Sequence, residues 1–197
     1  MTPPSPSRRA LLGAAVAVGL GGAGVLLGGR RAGARLLTLR PPGARPPGAF
    51  EDACVRCLKC AAACPNECIR FFGLGAGLDL AFTPYLKARE RGCTLCGECA
   101  KACPTGALKP FEPTRTGWLA GVKMGEARVN KAQCYSYNGR TCGACYRACP
   151  LAGQALRIGV FETPIVDPAF CVGCGLCEQA CLKVPQAIRV MPAGQEA

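Results

Sequence analysis

The sequence predicts a small α+β protein made of two similar modules in tandem behind an N-terminal apolar segment. Three observations predict it. Of 197 residues 17 are cysteine, and sixteen of these fall into four groups with nearly one spacing. Short stretches that alternate apolar and charged residues follow the groups. Aromatics make up only 6% of the chain against 26 glycines and 17 prolines, too little for a large conventional core. Something besides apolar packing must therefore staple the fold. The chain has no histidine, which excludes Ser-His-Asp and Cys-His catalysis and mixed Cys/His zinc sites, so any metal ligands are thiolates. The formal charge of +12 taken alone suggests nucleic acid or an anionic membrane as partner, but it counts every cysteine as neutral.

In chain order, residues 1 to 45 hold seven arginines (Arg8, Arg9, Arg30, Arg31, Arg35, Arg40, Arg45) and no acidic residue. Ala10 to Gly29 is an uncharged run of 20 residues, and Ser7-Arg8-Arg9-Ala10-Leu11-Leu12 before it has the pattern of a twin-arginine export signal. We assign residues 1–34 to that signal. It is either cleaved after Ala32-Gly33-Ala34 or kept as a membrane anchor helix, since 20 residues at roughly 1.5 Å each can span a bilayer core. Residues 35–49, with Pro41-Pro42-Gly43 and Pro46-Pro47-Gly48, read as a semi-rigid tether.

The four groups come next. Cys54, Cys57, Cys60 and Cys64 have the spacing C-x₂-C-x₂-C-x₃-C followed by Pro65, and Cys93, Cys96, Cys99 and Cys103 repeat it before Pro104. The third group widens its first gap (Cys134, Cys142, Cys145, Cys149, then Pro150), and the fourth keeps the spacing but ends in leucine (Cys171, Cys174, Cys177, Cys181, then Leu182). This is the bacterial ferredoxin spacing for cubane iron–sulfur clusters, in which the fourth cysteine ligates the neighbouring cluster. Three cysteines at intervals of three wrap a loop around one face of a cubane, and the fourth points away. Glycines between ligands (Gly97, Gly143, Gly173, Gly175) let backbone N–H groups approach the sulfur atoms. A disulfide framework fits poorly with an odd cysteine count and so many close pairs. Zinc ribbons use paired C-x₂-C units and leave the third step unexplained. Four [4Fe-4S] clusters held by the sixteen cysteines follow, and Cys68 is left over, at the place of Ala107 in the sister copy: a small buried filler, or else a substitute ligand or redox thiol.

Pairing of neighbours gives two ferredoxin-like modules, 50–112 and 131–192, joined by a connector at 113–130 and followed by a tail at 193–197. Cys54, Cys57 and Cys60 then share a cluster with Cys103, and Cys93, Cys96 and Cys99 share one with Cys64. Likewise Cys134, Cys142 and Cys145 go with Cys181, and Cys171, Cys174 and Cys177 with Cys149. Nested pairing, first group with fourth and second with third, is the rival. Strands are expected at Ala155–Ile158 and Ala187–Val190, and brief helices at or near the fourth cysteines. Val55, Ile69, Leu95, Leu108, Val172 and Ile188 are expected to shield the clusters.

With these residues in hand, the chain resembles the NapG/MauM ferredoxin-type proteins of periplasmic nitrate reduction and methylamine utilisation. The leader, Leu39-Arg40-Pro41-Pro42-Gly43-Ala44, Ala53-Cys54-Val55-Arg56-Cys57, the widened third group with Asn138-Gly139-Arg140-Thr141-Cys142, and the fourth group without proline all enter the likeness. The second group departs from it, being the plain form that many nitrate-pathway members widen, so the choice of pathway stays open. The resemblance implies a periplasmic electron carrier, associated with the cytoplasmic membrane, between a membrane-bound quinol-oxidising iron–sulfur protein and a periplasmic cytochrome or reductase. Clusters are assembled in the cytoplasm, and the twin-arginine route carries folded cargo. No nucleotide loop, flavin fingerprint or paired carboxylate motif offers a substrate site, so the expectation is a carrier and not an enzyme. Two other classes compete: an iron–sulfur subunit permanently bound to a molybdenum or flavin oxidoreductase, and a redox-sensing nucleic-acid binder. Charge speaks against nucleic acid. Without the four arginines of residues 1–34, +12 becomes +8, and sixteen thiolates around four oxidised cubane cores add roughly −8.

Overall fold

Each cysteine group is followed by a triplet of apolar, basic and apolar or proline residues, and three of these triplets become strands. The alternation puts one side chain of each on the core and the basic one in water. The computed structural model describes residues 38–193; the assigned signal or anchor at 1–34 lies outside the described residues. Among the described residues no helix is long and apolar enough to cross a membrane.

In the first half, helix α1 (Ala49–Ala53) precedes the first cysteine group, and α2 (Lys59–Ala62) lies within it. Strands β1 (Ile69–Phe71) and β2 (Pro84–Leu86) pair antiparallel in the register Ile69 to Leu86 and lead into the second group, which holds α3 (Glu98–Lys101). The second half repeats the plan. Helix α4 (Arg115–Gly121) and strand β3 (Gly125–Val129) precede the third group, which holds α5 (Ala144–Arg147). Strands β4 (Leu156–Ile158) and β5 (Pro164–Val166) pair antiparallel before the fourth group with α6 (Leu176–Gln179), and β6 (Ile188–Pro192) returns to pair with β3 from Gly125–Pro192 to Val129–Ile188. Helices α2 and α3 meet in the first half, and α5 and α6 in the second. One buried cluster, including Ile69, Leu95, Leu108, Val122, Leu151, Leu156, Val172 and Ile188, runs through both halves.

Three expectations need correction. The one-turn helices do not start at the fourth cysteines. They start after the second and carry the third. The residue after each second cysteine is left-handed (Leu58 φ 63°, Gly97 φ 80°, Gly143 φ 56°, Gly175 φ 83°) and caps the turn, while proline after three of the fourth cysteines disfavours helix at the residue before it. The tether at 35–49 is not a free spacer over its middle part. Pro41 and Pro42 are fully buried, and Leu39 and Ala44 bridge to Leu86 and Leu108. Arg40 pairs with Glu51 at 2.5 Å, beside the buried Phe50 ring. Gly43 has φ 75°, and a Cβ there would overlap the Lys109 carbonyl. This strap does for the first half what β3 does for the second, pairing with chain that follows the partner group. The connector at 113–130 is likewise partly structural, because its second part is β3.

Candidate metal centres

The loop of each group is shaped by left-handed residues, which turn successive backbone N–H groups toward one side. Besides the helix caps, Arg56 (φ 56°), Leu95 (φ 60°) and Gly173 (φ 74°) stand just before the second cysteine. Backbone N–H groups already point at sulfur: Leu95 donates to Cys93 Sγ at 3.4 Å, Ala127 to Cys171 Sγ at 3.4 Å, and Ala187 to Cys181 Sγ at 3.3 Å.

In the second half the thiols surround two cavities. One is lined by Cys171, Cys174 and Cys177 together with Cys149, and its apolar wall includes Leu151, Leu156 and Val190. The other is lined by Cys134, Cys142 and Cys145 together with Cys181, under Val129 and Ile188. Each cavity thus takes three cysteines from one group and the last from its sequence neighbour. In the first half the Cys99 thiol lies among Cys64, Cys96, Cys60 and Cys68, and Cys60 lies beside Cys54 and Cys57. Among the described residues no three ligand side chains converge closely enough to hold a single metal ion. Three thiols of one loop and one of its neighbour around each cavity are the donor set of a cubane cluster.

Burial is the main force on these thiols. It pushes Cys99 and Cys174 up to about 12, and Cys60 and Cys145 up to about 11, with neighbouring thiols adding to the rise. Bare, they stay protonated at neutral pH, and only a cationic core in the cavity would favour four thiolates. The residues present therefore fit an iron–sulfur cluster.

The structure also shows partners that the spacing conceals. Cys68 is 4% exposed, its Sγ lies 3.5 Å from Cys64 Sγ, and the Cys93 and Cys64 thiols bring its pKa down to about 7. It therefore lies between the first cysteine group and the second. Glu178, next to Cys177, is buried, accepting from the Val190 N–H at 2.7 Å and from Gln186 Nε2 at 3.0 Å. Trp118 Nε1 donates to the Leu95 carbonyl at 3.0 Å. Of the expected shielding residues, Val55 is the exception, at 63% exposed; its loop lies at the surface, and Cys57 is itself exposed. Ile69, Leu95, Leu108, Val172 and Ile188 are buried.

Comparison with known proteins agrees with this chemistry. A 4Fe-4S dicluster domain matches residues 53–107 and 92–152, and a 4Fe-4S binding domain matches 164–181. The ferredoxin-type protein MauM of Methylorubrum extorquens is 39% identical over 96% of this chain and 91% of its own length. The chain belongs to the NapG/MauM family of ferredoxin-type proteins. MauM of Methylophilus methylotrophus is 39% identical, covering 92% of this chain and 81% of the relative, and ferredoxin-type protein NapG of Escherichia coli is 37% identical, covering 88% and 80%. As a NapG/MauM protein with these domains, it is an iron–sulfur electron-transfer protein that binds [4Fe-4S] clusters. The second dicluster match, 92–152, spans the second and third groups, yet Cys149 at its end faces the cysteines of the fourth. Spacing along the chain fits both pairs; the cavity linings in the second half join the third group with the fourth.

Proposed function

We propose that the protein holds four [4Fe-4S] clusters and passes single electrons from a membrane-bound quinol-oxidising iron–sulfur partner to a periplasmic cytochrome or reductase, acting as a carrier without catalytic residues. The ligand sets are Cys54, Cys57, Cys60 with Cys103; Cys93, Cys96, Cys99 with Cys64; Cys134, Cys142, Cys145 with Cys181; and Cys171, Cys174, Cys177 with Cys149. The observation that carries this is the crossed lining of the two cavities in the second half, extended to the first by Cys64 beside Cys99. The clusters supply one-electron chemistry. The chain holds them, turns N–H groups toward their sulfurs, and keeps water from the inner cavities with Leu95, Leu151, Leu156 and Val172.

In this reading residues 1–34 export the folded protein by the twin-arginine route and either leave it or anchor it at the cytoplasmic membrane. The names of the relatives, all ferredoxin-type proteins, support a carrier of electrons. Iron and acid-labile sulfide measured after anaerobic purification should each come to about sixteen per chain. A result near eight of each would sink the four-cluster assignment.

A further inference from the structure

We infer that electrons cross between the two halves from the second cysteine group to the fourth, so that the route through the protein runs first, second, fourth, third group and not in chain order. This rests on the four-cluster proposal above and adds to it the order of the clusters and the residues that set it.

The two halves touch through ligand-bearing loops. The Cys93 N–H donates to the Cys174 carbonyl at 2.7 Å, joining a cysteine of the second group directly to one of the fourth through a hydrogen bond. Glycine makes the approach feasible. A Cβ on Gly92 would lie 2.7 Å from the Leu176 nitrogen, and one on Gly175 would lie 2.5 Å from Ala88 Cβ, closer than non-bonded atoms can stand. Side chains then lock the junction. The Gly92 N–H donates to Gln179 Oε1 at 2.8 Å, and Asn66 Nδ2 donates to the Gly92 carbonyl at 2.6 Å. Arg89 Nη1 reaches the carbonyls of Glu178, Gln179 and Cys181 at 3.1, 3.3 and 2.8 Å, gripping the end of α6, where cationic groups are favoured.

Within each half the helices that carry the third cysteines pack together, α2 with Cys60 against α3 with Cys99, and α5 with Cys145 against α6 with Cys177. Those contacts link first to second group and third to fourth. Burial agrees with the resulting order. Cys93, Cys99, Cys174 and Cys177 are buried, whereas Cys57 is exposed and Cys134, Cys142 and Cys145 are half-buried. The inner pair of sites is therefore shared between the halves, and the first and third groups lie at the ends of the route, where donor and acceptor would dock.

The test opens the junction without touching a ligand. Gly92→Ala and Arg89→Met holoproteins are compared with the parent for iron content, for hydrogen exchange over residues 88–95, and for the EPR spectrum of the fully reduced protein. Exchange at 88–95 should quicken while iron stays at the parent value, and magnetic interaction between the halves should be lost, leaving two separately coupled pairs. Arg89→Lys should restore the interaction, since an ammonium has three donors for the three carbonyls. If Gly92→Ala loses iron, Arg89→Met decides. Exchange as slow as in the parent, or an interaction unchanged in an opened junction, would overturn the order. Iron near eight in the parent would instead overturn the four-cluster assignment, and so the two failures are told apart.

Discussion

The two halves share a plan and differ in what closes it. In the second half, β3 and β6 form a five-residue ladder around the third and fourth groups. In the first, the strap at 39–45 makes two isolated bridges: Leu39–Leu86, through the Leu86 N–H to the Leu39 carbonyl, and Ala44–Leu108, through the Arg45 N–H to the Ala107 carbonyl and the Lys109 N–H to the Gly43 carbonyl. The comparison extends to the loops. Val55 and Val172 occupy the same place, just after the first cysteine of their groups, yet one is 63% exposed and the other 4%. Val172 is covered because its carbonyl accepts from the Met124 N–H at the entrance to β3, and no ladder covers Val55. The loop of the first group thus lies at the surface at Val55, where that of the fourth is covered at Val172.

This contrast can be broken from either side. The largest effect is expected from Gly43→Ala, which places a Cβ on the Lys109 carbonyl at a left-handed residue; we expect about 2–4 kcal/mol of destabilisation in the first half, read as a lower midpoint in anaerobic denaturant unfolding. Gly139→Ala and Gly153→Ala, left-handed but with open space around them, should cost only about 1 kcal/mol. If all three cost the same, the strap is not what holds the first half. Next comes Glu178→Ala in the second half, which leaves the buried Val190 N–H without its acceptor; about 2 kcal/mol is expected, with faster amide exchange along β6. Glu98→Ala, which removes only an exposed pair with Lys101, should leave the unfolding midpoint in place. The smallest structural effect is expected from Cys68→Ala. Iron content should stay unchanged, while the potential of one cluster falls, because the thiol contact to Cys64 that stabilises the more negative reduced state is gone. A potentiometric titration with all potentials unmoved would reduce Cys68 to a filler.

What was legible in the chain was what is local. The cysteine intervals select the ligand type, and the alternation in Leu156-Arg157-Ile158 and Ile188-Arg189-Val190 marks strands because burial of every second residue is written into it. The helices were misplaced for a reason that is also local but weaker. A left-handed cap at Leu58 is invisible by residue type, since leucine rarely adopts it. The strap, the role of β3 and the burial of Cys68 depend on contacts tens of residues away. Pro41-Pro42-Gly43 reads as a spacer until the Lys109 carbonyl is placed against it, and Val55 reads like Val172 until β3 is placed beside one of them only.

The crossed lining has a consequence for how such a protein comes into being. Cys149 ends the third group but faces the cavity of the fourth, and Cys181 does the reverse, so neither cavity can be completed while the other loop is unfolded. In the proposed ligand sets, filling one cavity orders part of the other loop, and loss of one cluster frees cysteines on both loops. The second half is thus matured or lost as a pair, like two clasps that share a hinge, and a half-finished copy presents open loops that proteolysis can recognise.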